Sequence, residues 1–208
     1  WLSFYSRYFN TVEINMSFYR FPSPAMLRVW YKKTPKDFKF TLKANRLITH
    51  NKKLKNADSL VKSFYSLTSL LKEKASCILF QLPPNLNKDI KRLDNFIKIL
   101  PKKYDIAFEF RNESWFSDDI YDILRKNDIA LCVVSGLGMP EVLKITSDFS
   151  YFRFHGSERA YSSCYTDKQL KEWAKKIRRL KTKRIYAYFN NDDNAYAVKN
   201  ALELKNLL

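Results

Sequence analysis

The stretch DIAFEFR, residues 105–111, alternates between side chains that suit opposite faces of a β-strand. Phe108 and Phe110 are large and apolar, whereas Glu109 and Arg111 are charged. Because successive side chains of a strand point to opposite faces, this alternation predicts one face packed against helices and one polar face. In a barrel strand the polar face would point into the interior.

The same parity recurs in other strand-like stretches. Val12 and Ile14 are predicted to face helices, as are Phe152 and Phe154. The polar residues that this parity directs inward are Glu13, Asn15, Lys43, Asn45, Gln81, Glu109, Arg111, Arg153, His155 and Asn190. They come late in their strands, and barrel enzymes build their sites where strands end. The pattern therefore predicts a polar site at the C-terminal ends of the strands.

Strand and helix patterns alternate along the whole chain. Strands are predicted at residues 11–15, 38–45, 77–80, 105–111, 129–135, 149–155 and 184–190. Helices are predicted from Pro24 behind the capping Ser23, at 57–74, 90–100 and 119–126, behind the capping Thr166, and at 195–208. Such alternation with short connections favours a parallel sheet. We predict one domain over residues 1–208, a TIM-type (β/α)8 barrel that lacks its first strand and is N-terminally incomplete; a doubly wound open sheet is the alternative.

Composition limits the class of protein. At 208 residues, with 46% hydrophobic and 16% aromatic residues, the chain can bury one sizeable core. No apolar run reaches the length of a membrane-spanning helix, and the start lacks a signal peptide's layout. A cytoplasmic protein that does not contact a membrane is expected. Cys77, Cys132 and Cys164 form no close pair, which favours reduced thiols.

The formal net charge of +17 has two interpretations. It indicates a polyanionic partner such as nucleic acid, or it reflects a compositional bias toward Lys and Asn. Net charge describes non-specific attraction, so it identifies no site by itself.

Individual residues suggest chemistry at the strand ends. Glu13, Glu109 and His155 are the candidate acid–base residues, and Lys43, Arg46 and His50 form a run suited to gripping phosphate or carboxylate. Trp115 and Tyr161 would stack on a ligand ring or simply pack, and Gly156 would let a ligand approach the backbone. The alternative to a site is an internal ion-pair network, such as Glu13 with Arg111 or Glu109 with Arg153.

Metal chemistry is disfavoured by counting. A multi-zinc site needs several histidines, and the chain has two. A Mg²⁺ site using Glu13, Glu109 and Asp192 would be opposed by Arg111, Arg153 and Lys43. We therefore predict no metal and no cofactor.

Six segments resemble one protein family. They are FNTVEINMSFYRFP (9–22), FTLKANRLITH (40–50), LFQLPP (79–84), AFEFRNESW (107–115), YFRFHG (151–156) and YAYFNND (186–192). Over nearly the whole chain the sequence resembles the domain of unknown function 72 family, the YecE-like proteins. The resemblance implies a TIM barrel without a settled activity, whose usual Gly-Thr-Ser-Gly-Trp opening strand is absent here.

The family's motifs fall on the inward residues named above and on a few neighbours. The positions they add are Tyr19, the run Lys43 to His50, Pro83, Trp115, Gly156 and Asn190 to Asp192. Asn112 stands where the family often has histidine, so no role is assigned to it.

These observations lead to one functional prediction with two alternatives. We predict a metal-independent acid–base enzyme, a hydrolase or isomerase, whose cationic pocket binds a phosphate-bearing ligand. Its partner would be an anionic small molecule or nucleic acid, and a monomer is favoured. The alternatives are a glycosidase-like hydrolase using Glu13 and Glu109, and a non-catalytic basic module that binds nucleic acid.

Overall fold

A computed structural model describes residues 1–159 and 161–208. The chain forms two compact units, Trp1–Trp115 and Phe116–Leu208. Both units are built from parallel strands that alternate with helices, as the sequence predicts.

The first unit contains four parallel strands in the order β1-β2-β3-β4. The strands are β1 (Thr11–Ile14), β2 (Lys39–Lys43), β3 (Ala75–Gln81) and β4 (Asp105–Glu109). The helices are α1 (Leu2–Tyr5), α2 (Met16–Tyr19), α3 (Pro24–Lys32), α4 (Asp58–Thr68) and α5 (Ile90–Lys98). A π-helical turn (Leu47–Asn51) follows β2, and 3-10 turns lie at Ser69–Lys74 and Glu113–Trp115.

The second unit contains three parallel strands in the order β5-β6-β7. The strands are β5 (Ala130–Ser135), β6 (Phe149–Phe154) and β7 (Arg184–Phe189). The helices are α6 (Asp118–Lys126), α7 (Asp167–Arg178) and α8 (Tyr196–Asn206), and a 3-10 turn lies at Asp193–Ala195.

Two helix starts follow from their capping residues. Ser23 Oγ accepts a hydrogen bond from the backbone N–H of Met26 at 3.2 Å, directly before Pro24 at the first helical position. Thr166 forms a capping box with Gln169, each side chain accepting from the other's backbone. Both caps confirm the predicted helix starts.

The helix predicted over residues 57–74 differs from the observed one. Its regular part ends at Thr68, and a 3-10 turn continues to Lys74, with Lys72 at a φ of +51°. The Lys74 ammonium donates to the carbonyls of Tyr31 at 2.6 Å and Thr34 at 2.8 Å. A buried lysine needs such hydrogen-bond acceptors for its ammonium group. These contacts hold Lys74 at the end of the 3-10 turn, where a regular α-helical turn is predicted.

Strand register in the first unit confirms the predicted parity. Glu13 lies beside Thr41, Lys43 beside Leu79, and Gln81 beside Glu109. Since paired neighbours in a parallel sheet share a face, Glu13, Lys43, Gln81 and Glu109 all lie on one side, here called the polar face. On the opposite side Phe80 and Phe108 stack with ring centroids 5.4 Å apart.

The second unit shows the same division between the two faces of its sheet. Phe152 and Phe154 are buried in one cluster with Trp173 and Ile177 of α7. Arg153 has the opposite parity and lies in register between Val134 and Tyr188. The prediction that Phe152 and Phe154 face helices is therefore confirmed.

Among the residues described, no helix combines the length and the apolar character needed to cross a membrane.

Candidate functional site

The polar face of the first unit brings together four predicted site residues from four strands. Glu13 and Lys43 are both largely buried, and Gln81 is partly exposed. The Glu109 side chain has 0% exposure. Burying charged groups is costly unless they pair or meet a ligand, so the partners of each group decide what it can do.

Glu109 is held by two donors from its own face. Arg111 Nε and Gln81 Nε2 both donate to Glu109 Oε1, the latter at 3.2 Å. The Arg111 side chain is 13% exposed, so this ion pair lies away from bulk water. This pair of Arg111 with Glu109 differs from the two examples that the sequence suggests, Glu13 with Arg111 and Glu109 with Arg153.

The π-helical turn after β2 is anchored by Asn45. Asn45 Nδ2 donates to the Ser17 carbonyl at 2.9 Å, and its Oδ1 accepts from the Leu47 backbone N–H at 3.0 Å. Asn45 is 1% exposed. These hydrogen bonds give Asn45 a structural role, because both ends of the amide are used to shape the turn.

Single π turns are frequent at functional sites because they redirect side chains, and this one carries His50. The His50 ring packs edge-on against Phe18 of α2, with centroids 4.9 Å apart. Lys43 Nζ lies 4.2 Å from the centroid of the same Phe18 ring. Phe18 thereby brings the end of β2 and the π turn to one place.

The pKa of His50 depends on the charged groups around the π-helical turn. The pKa of His50 is lowered to about 4, first by burial and then by the positive charges of Lys43, Arg46 and Arg111, against an opposing effect of Glu109. A histidine that stays neutral among three cations marks a local excess of positive potential. This environment favours binding of an anion.

The depressed pKa of His50 makes stability depend on pH. The unfolded chain binds a proton on this ring near pH 6.5, whereas the folded chain binds it near pH 4. The contribution of His50 to the free energy of unfolding is therefore constant above the unfolded pKa. It falls as the pH drops from about 6.5 to 4. For a half-buried ring, solvent screening reduces the effect to about 1–2 kcal/mol. We expect His50→Gln to lose that much less stability than the wild type over this pH range, measured by urea unfolding.

Lys43→Met is the matched comparison for this measurement. Removing this cation raises the pKa of His50, so the loss of stability between about pH 6.5 and 4 should become smaller. Equal pH dependence in wild type and His50→Gln would contradict a neutral His50 in the fold.

Two further predicted ligand-binding residues of the first unit reach solvent. Tyr19 is 70% exposed and meets Phe18 edge to face at 5.1 Å. Arg46 is exposed directly before the π turn, and Asn15 caps the start of α2 while partly buried. Tyr19 and Arg46 can therefore contact a ligand without rearrangement of the fold.

Trp115 packs inside the first unit and offers no ring to a ligand. It is 0% exposed, stacks on Phe110 with centroids 4.8 Å apart, and donates from Nε1 to the Leu86 carbonyl at 2.6 Å. These contacts favour the packing alternative that the sequence leaves open, because the buried indole stacks on Phe110 and uses its N–H within the fold.

The second unit places Arg153, His155 and Asn190 close together. Arg153 is 2% exposed, and its guanidinium donates to Asn190 Oδ1 at 3.2 Å. His155 is 1% exposed, its backbone N–H donates to the Ser135 carbonyl, and its ring lies 5.2 Å from that of the exposed Tyr161. These contacts form a polar cluster at the end of β6.

Gly156 is required by its own loop. Its φ is +95°, and a Cβ there would lie 2.6 Å from the Arg159 carbonyl and 2.8 Å from Ser163 Oγ. Arg159 and Ser163 therefore account for the glycine at this position, and the approach of a ligand to this backbone stays a prediction. Asp192 lies directly before a 3-10 turn, and the residue as a whole is exposed. Partial burial of its carboxyl group, followed by repulsion from Asp193, raises the pKa of Asp192.

The sequence assigns no individual role to three residues that build the first unit's site. Ser17 Oγ donates to the carbonyls of Ile14 and Lys43, both at 2.7 Å, which joins α2 to the end of β2. Phe18 supplies the ring between Lys43 and His50, and Thr49 Oγ1 lies 2.9 Å from His50 Nδ1. Their signal was position alone, directly after a strand or beside His50.

Within the described residues, no group of three or more His, Cys, Asp or Glu side chains is placed to hold a metal ion.

Solved structures share this fold. A DUF72 family protein from Enterococcus faecalis V583 matches with a TM-score of 0.89 at 20% identity, covering 100% of this chain and 87% of the other. A DUF72 family protein from Thermotoga maritima MSB8 matches with a TM-score of 0.84 at 28% identity, covering 96% and 84%. The predicted fold class, an α/β barrel with seven parallel strands, is confirmed.

Sequence comparison gives the same relationship. The UPF0759 protein YunF of Bacillus subtilis strain 168 is 27% identical over 242 residues, which cover 100% of this chain and 86% of that protein. The UPF0759 protein YecE of Escherichia coli K12 is 31% identical over 114 residues, covering 54% and 42%. The family described as "Protein of unknown function DUF72" matches over residues 1–208. The chain is therefore a member of the DUF72 family, a family of α/β barrel fold whose function is uncharacterised.

Proposed function

We propose that the polar face of the first unit is the ligand site of an acid–base enzyme acting on a phosphate-bearing substrate. The observation that carries this proposal is the cationic surrounding of His50 by Lys43, Arg46 and Arg111. Lys43 ends β2, Arg46 follows it, and Arg111 follows β4, so we expect the three cations to contact different oxygens of one phosphoryl group.

Of the two glutamates on the polar face, Glu13 is the better candidate for moving a proton. Glu109 is enclosed and already accepts hydrogen bonds from Arg111 and Gln81. Such bonds favour the ionised carboxylate and hold it in place. Glu13 lies on β1, next to the strand that carries Lys43, and both side chains are on the polar face. Glu13 is therefore proposed as the general base, and Glu109 as the group that orients Arg111.

The glycosidase alternative is less well supported. That mechanism needs two carboxyl groups that both face the scissile bond. The enclosed side chain of Glu109 and its pairing with Arg111 favour an anchoring role for it instead.

Proton NMR of the histidine rings tests the proposal directly, because the chain contains only two histidines. Titrating with sulfate, whose charge does not change over the measured range, is expected to shift the His50 signal and raise its pKa above about 4. Phenyl phosphate, a simple phosphomonoester, should do the same. Loss of one charge-assisted contact in Lys43→Met should weaken binding about ten- to a hundredfold.

Lys32→Met is the matched control, because Lys32 is an exposed lysine at the end of α3. Its sulfate affinity should equal that of the wild type. An unmoved His50 signal at saturating sulfate and phenyl phosphate, or equal losses in the two lysine variants, would refute the proposed site.

A further inference from the structure

Basic residues of the second unit are concentrated in one segment. Nine of the 18 residues from 167 to 184 are Lys or Arg, and two are Asp or Glu. The segment comprises α7, the turn after it and the first residue of β7. Elsewhere the second unit carries both signs in closer balance; α6, for instance, has three aspartates against one arginine and one lysine. A general bias toward lysine does not explain a local excess of this size.

The cations of α7 form a stripe opposite its buried side. Leu170, Trp173, Ala174 and Ile177 are buried in the core of the second unit. With about 3.6 residues per turn, the opposite side carries the exposed carboxylate of Glu172 and five exposed cations, here called the basic stripe. It consists of Lys168, Lys171, Lys175, Arg178 and Arg179. At about 1.5 Å per residue the basic stripe is about 16 Å long.

The basic stripe is not used for ion pairs within the chain. Lys176, on the flank of α7, pairs with Glu141 at 3.1 Å, and Lys183 pairs with Asp148 at 3.0 Å. In the part of the chain that the structure describes, the five residues of the basic stripe take part in no salt bridge. Five exposed cations with a single carboxylate, Glu172, among them leave an excess of positive charge, which an anionic partner lying over them would neutralise.

The chemistry of the stripe distinguishes between anionic partners. The only aromatic residue of the segment, Trp173, is buried, and so are the apolar residues of α7. A membrane-surface helix would expose apolar side chains for insertion, and a single-strand site would expose rings for base stacking. A straight row of cations without either is suited to the regularly spaced phosphates of a duplex.

We propose that the basic stripe of α7 binds the phosphate backbone of duplex nucleic acid without sequence preference. The stripe lies on the outer side of a helix and involves none of the residues of the polar face, so this binding is independent of the proposed enzyme site.

The test measures binding of a fluorescent DNA duplex by anisotropy across a range of salt concentrations. In Lys168→Gln/Lys171→Gln/Lys175→Gln/Arg179→Gln, affinity at low salt should fall at least tenfold. Each lost phosphate contact lowers the slope of log K against log salt by about 0.9, so the slope should fall by about 3–4. The matched control removes the same charge from α3 and the turn after it, at the exposed Arg28, Lys32, Lys33 and Lys36. Its slope should change by less than about 1.

Three outcomes would overturn the proposal. Equal losses in the two fourfold variants would show attraction by net charge alone. Tighter binding to vesicles of acidic phospholipid, lost in the α7 variant, would identify a membrane surface instead. Tighter binding to single-stranded DNA than to the duplex would contradict recognition of the regularly spaced phosphates of a duplex. Lys43→Met should bind the duplex like the wild type, which keeps this result separate from the polar face.

Discussion

Replacing Glu109 with Ala is expected to lower the free energy of unfolding by about 3–5 kcal/mol. The Glu109 side chain has no exposed surface, and it accepts from both Arg111 and Gln81. Without the carboxylate, the guanidinium of Arg111 would keep its charge in a largely buried position and lose the acceptor of its Nε–H. The cost is dominated by that uncompensated charge, with a smaller contribution from the cavity.

A double-mutant cycle separates the ion pair from the packing. Glu109→Gln and Arg111→Met should each be strongly destabilising, whereas the double variant should cost clearly less than the two combined. Urea unfolding of the four proteins gives the coupling energy. Additive effects of the two changes would show that Glu109 and Arg111 do not act as a pair.

The placement of this pair could be predicted in part from DIAFEFR. Residues two apart on a strand share a face, so Glu109 and Arg111 had to lie on the same side of the sheet. Their partners could not be predicted, because the sequence also allows Glu13 with Arg111 and Glu109 with Arg153, and the choice depends on side-chain conformation. The register of β3 against β4 brings Gln81 beside Glu109 and thereby decides it.

The segment from Lys43 to His50 shows a different limit. A run of basic residues after a strand predicted an anion site, and His50 does lie in a cationic environment. The function of Asn45 could not be read from its parity, because an amide can bind a ligand or shape a turn equally well. The contact between His50 and Phe18 depends on a helix that follows another strand, and no local pattern indicates it.

Fold-level features were more predictable because they rest on repeated signals. The alternation of strand and helix patterns predicts the number of strands. Ser23 and Thr166 indicate helix starts, because their side chains accept hydrogen bonds from backbone N–H groups of the first turn. The sequence marks Gly156 as special without showing which contact requires it. A positive φ and a tight approach look the same in sequence whether a ligand or the chain itself fills the space.

Replacing Trp115 with Ala is expected to lower the free energy of unfolding by about 3–5 kcal/mol and to leave sulfate affinity at the polar face unchanged. The indole is fully buried, stacked almost parallel on Phe110 at an interplanar angle of 5°, and bonded to the Leu86 carbonyl. Its loss leaves a cavity of aromatic size and an unsatisfied carbonyl. Trp115→Phe keeps a stacked ring but loses the hydrogen bond and part of the indole volume, so a smaller loss than for Trp115→Ala is expected for it.

The comparison of Trp115 with Lys43 separates packing from binding. If Trp115 packs, both Trp115 variants will titrate with sulfate like the wild type while unfolding at lower urea, and Lys43→Met will show the reverse pattern. A Trp115→Ala protein of nearly wild-type stability with weakened anion binding would instead place the indole against the ligand, against the burial and the stacking seen here. Because the two readouts move independently, one set of three variants determines whether the aromatic end of AFEFRNESW belongs to the core or to the site.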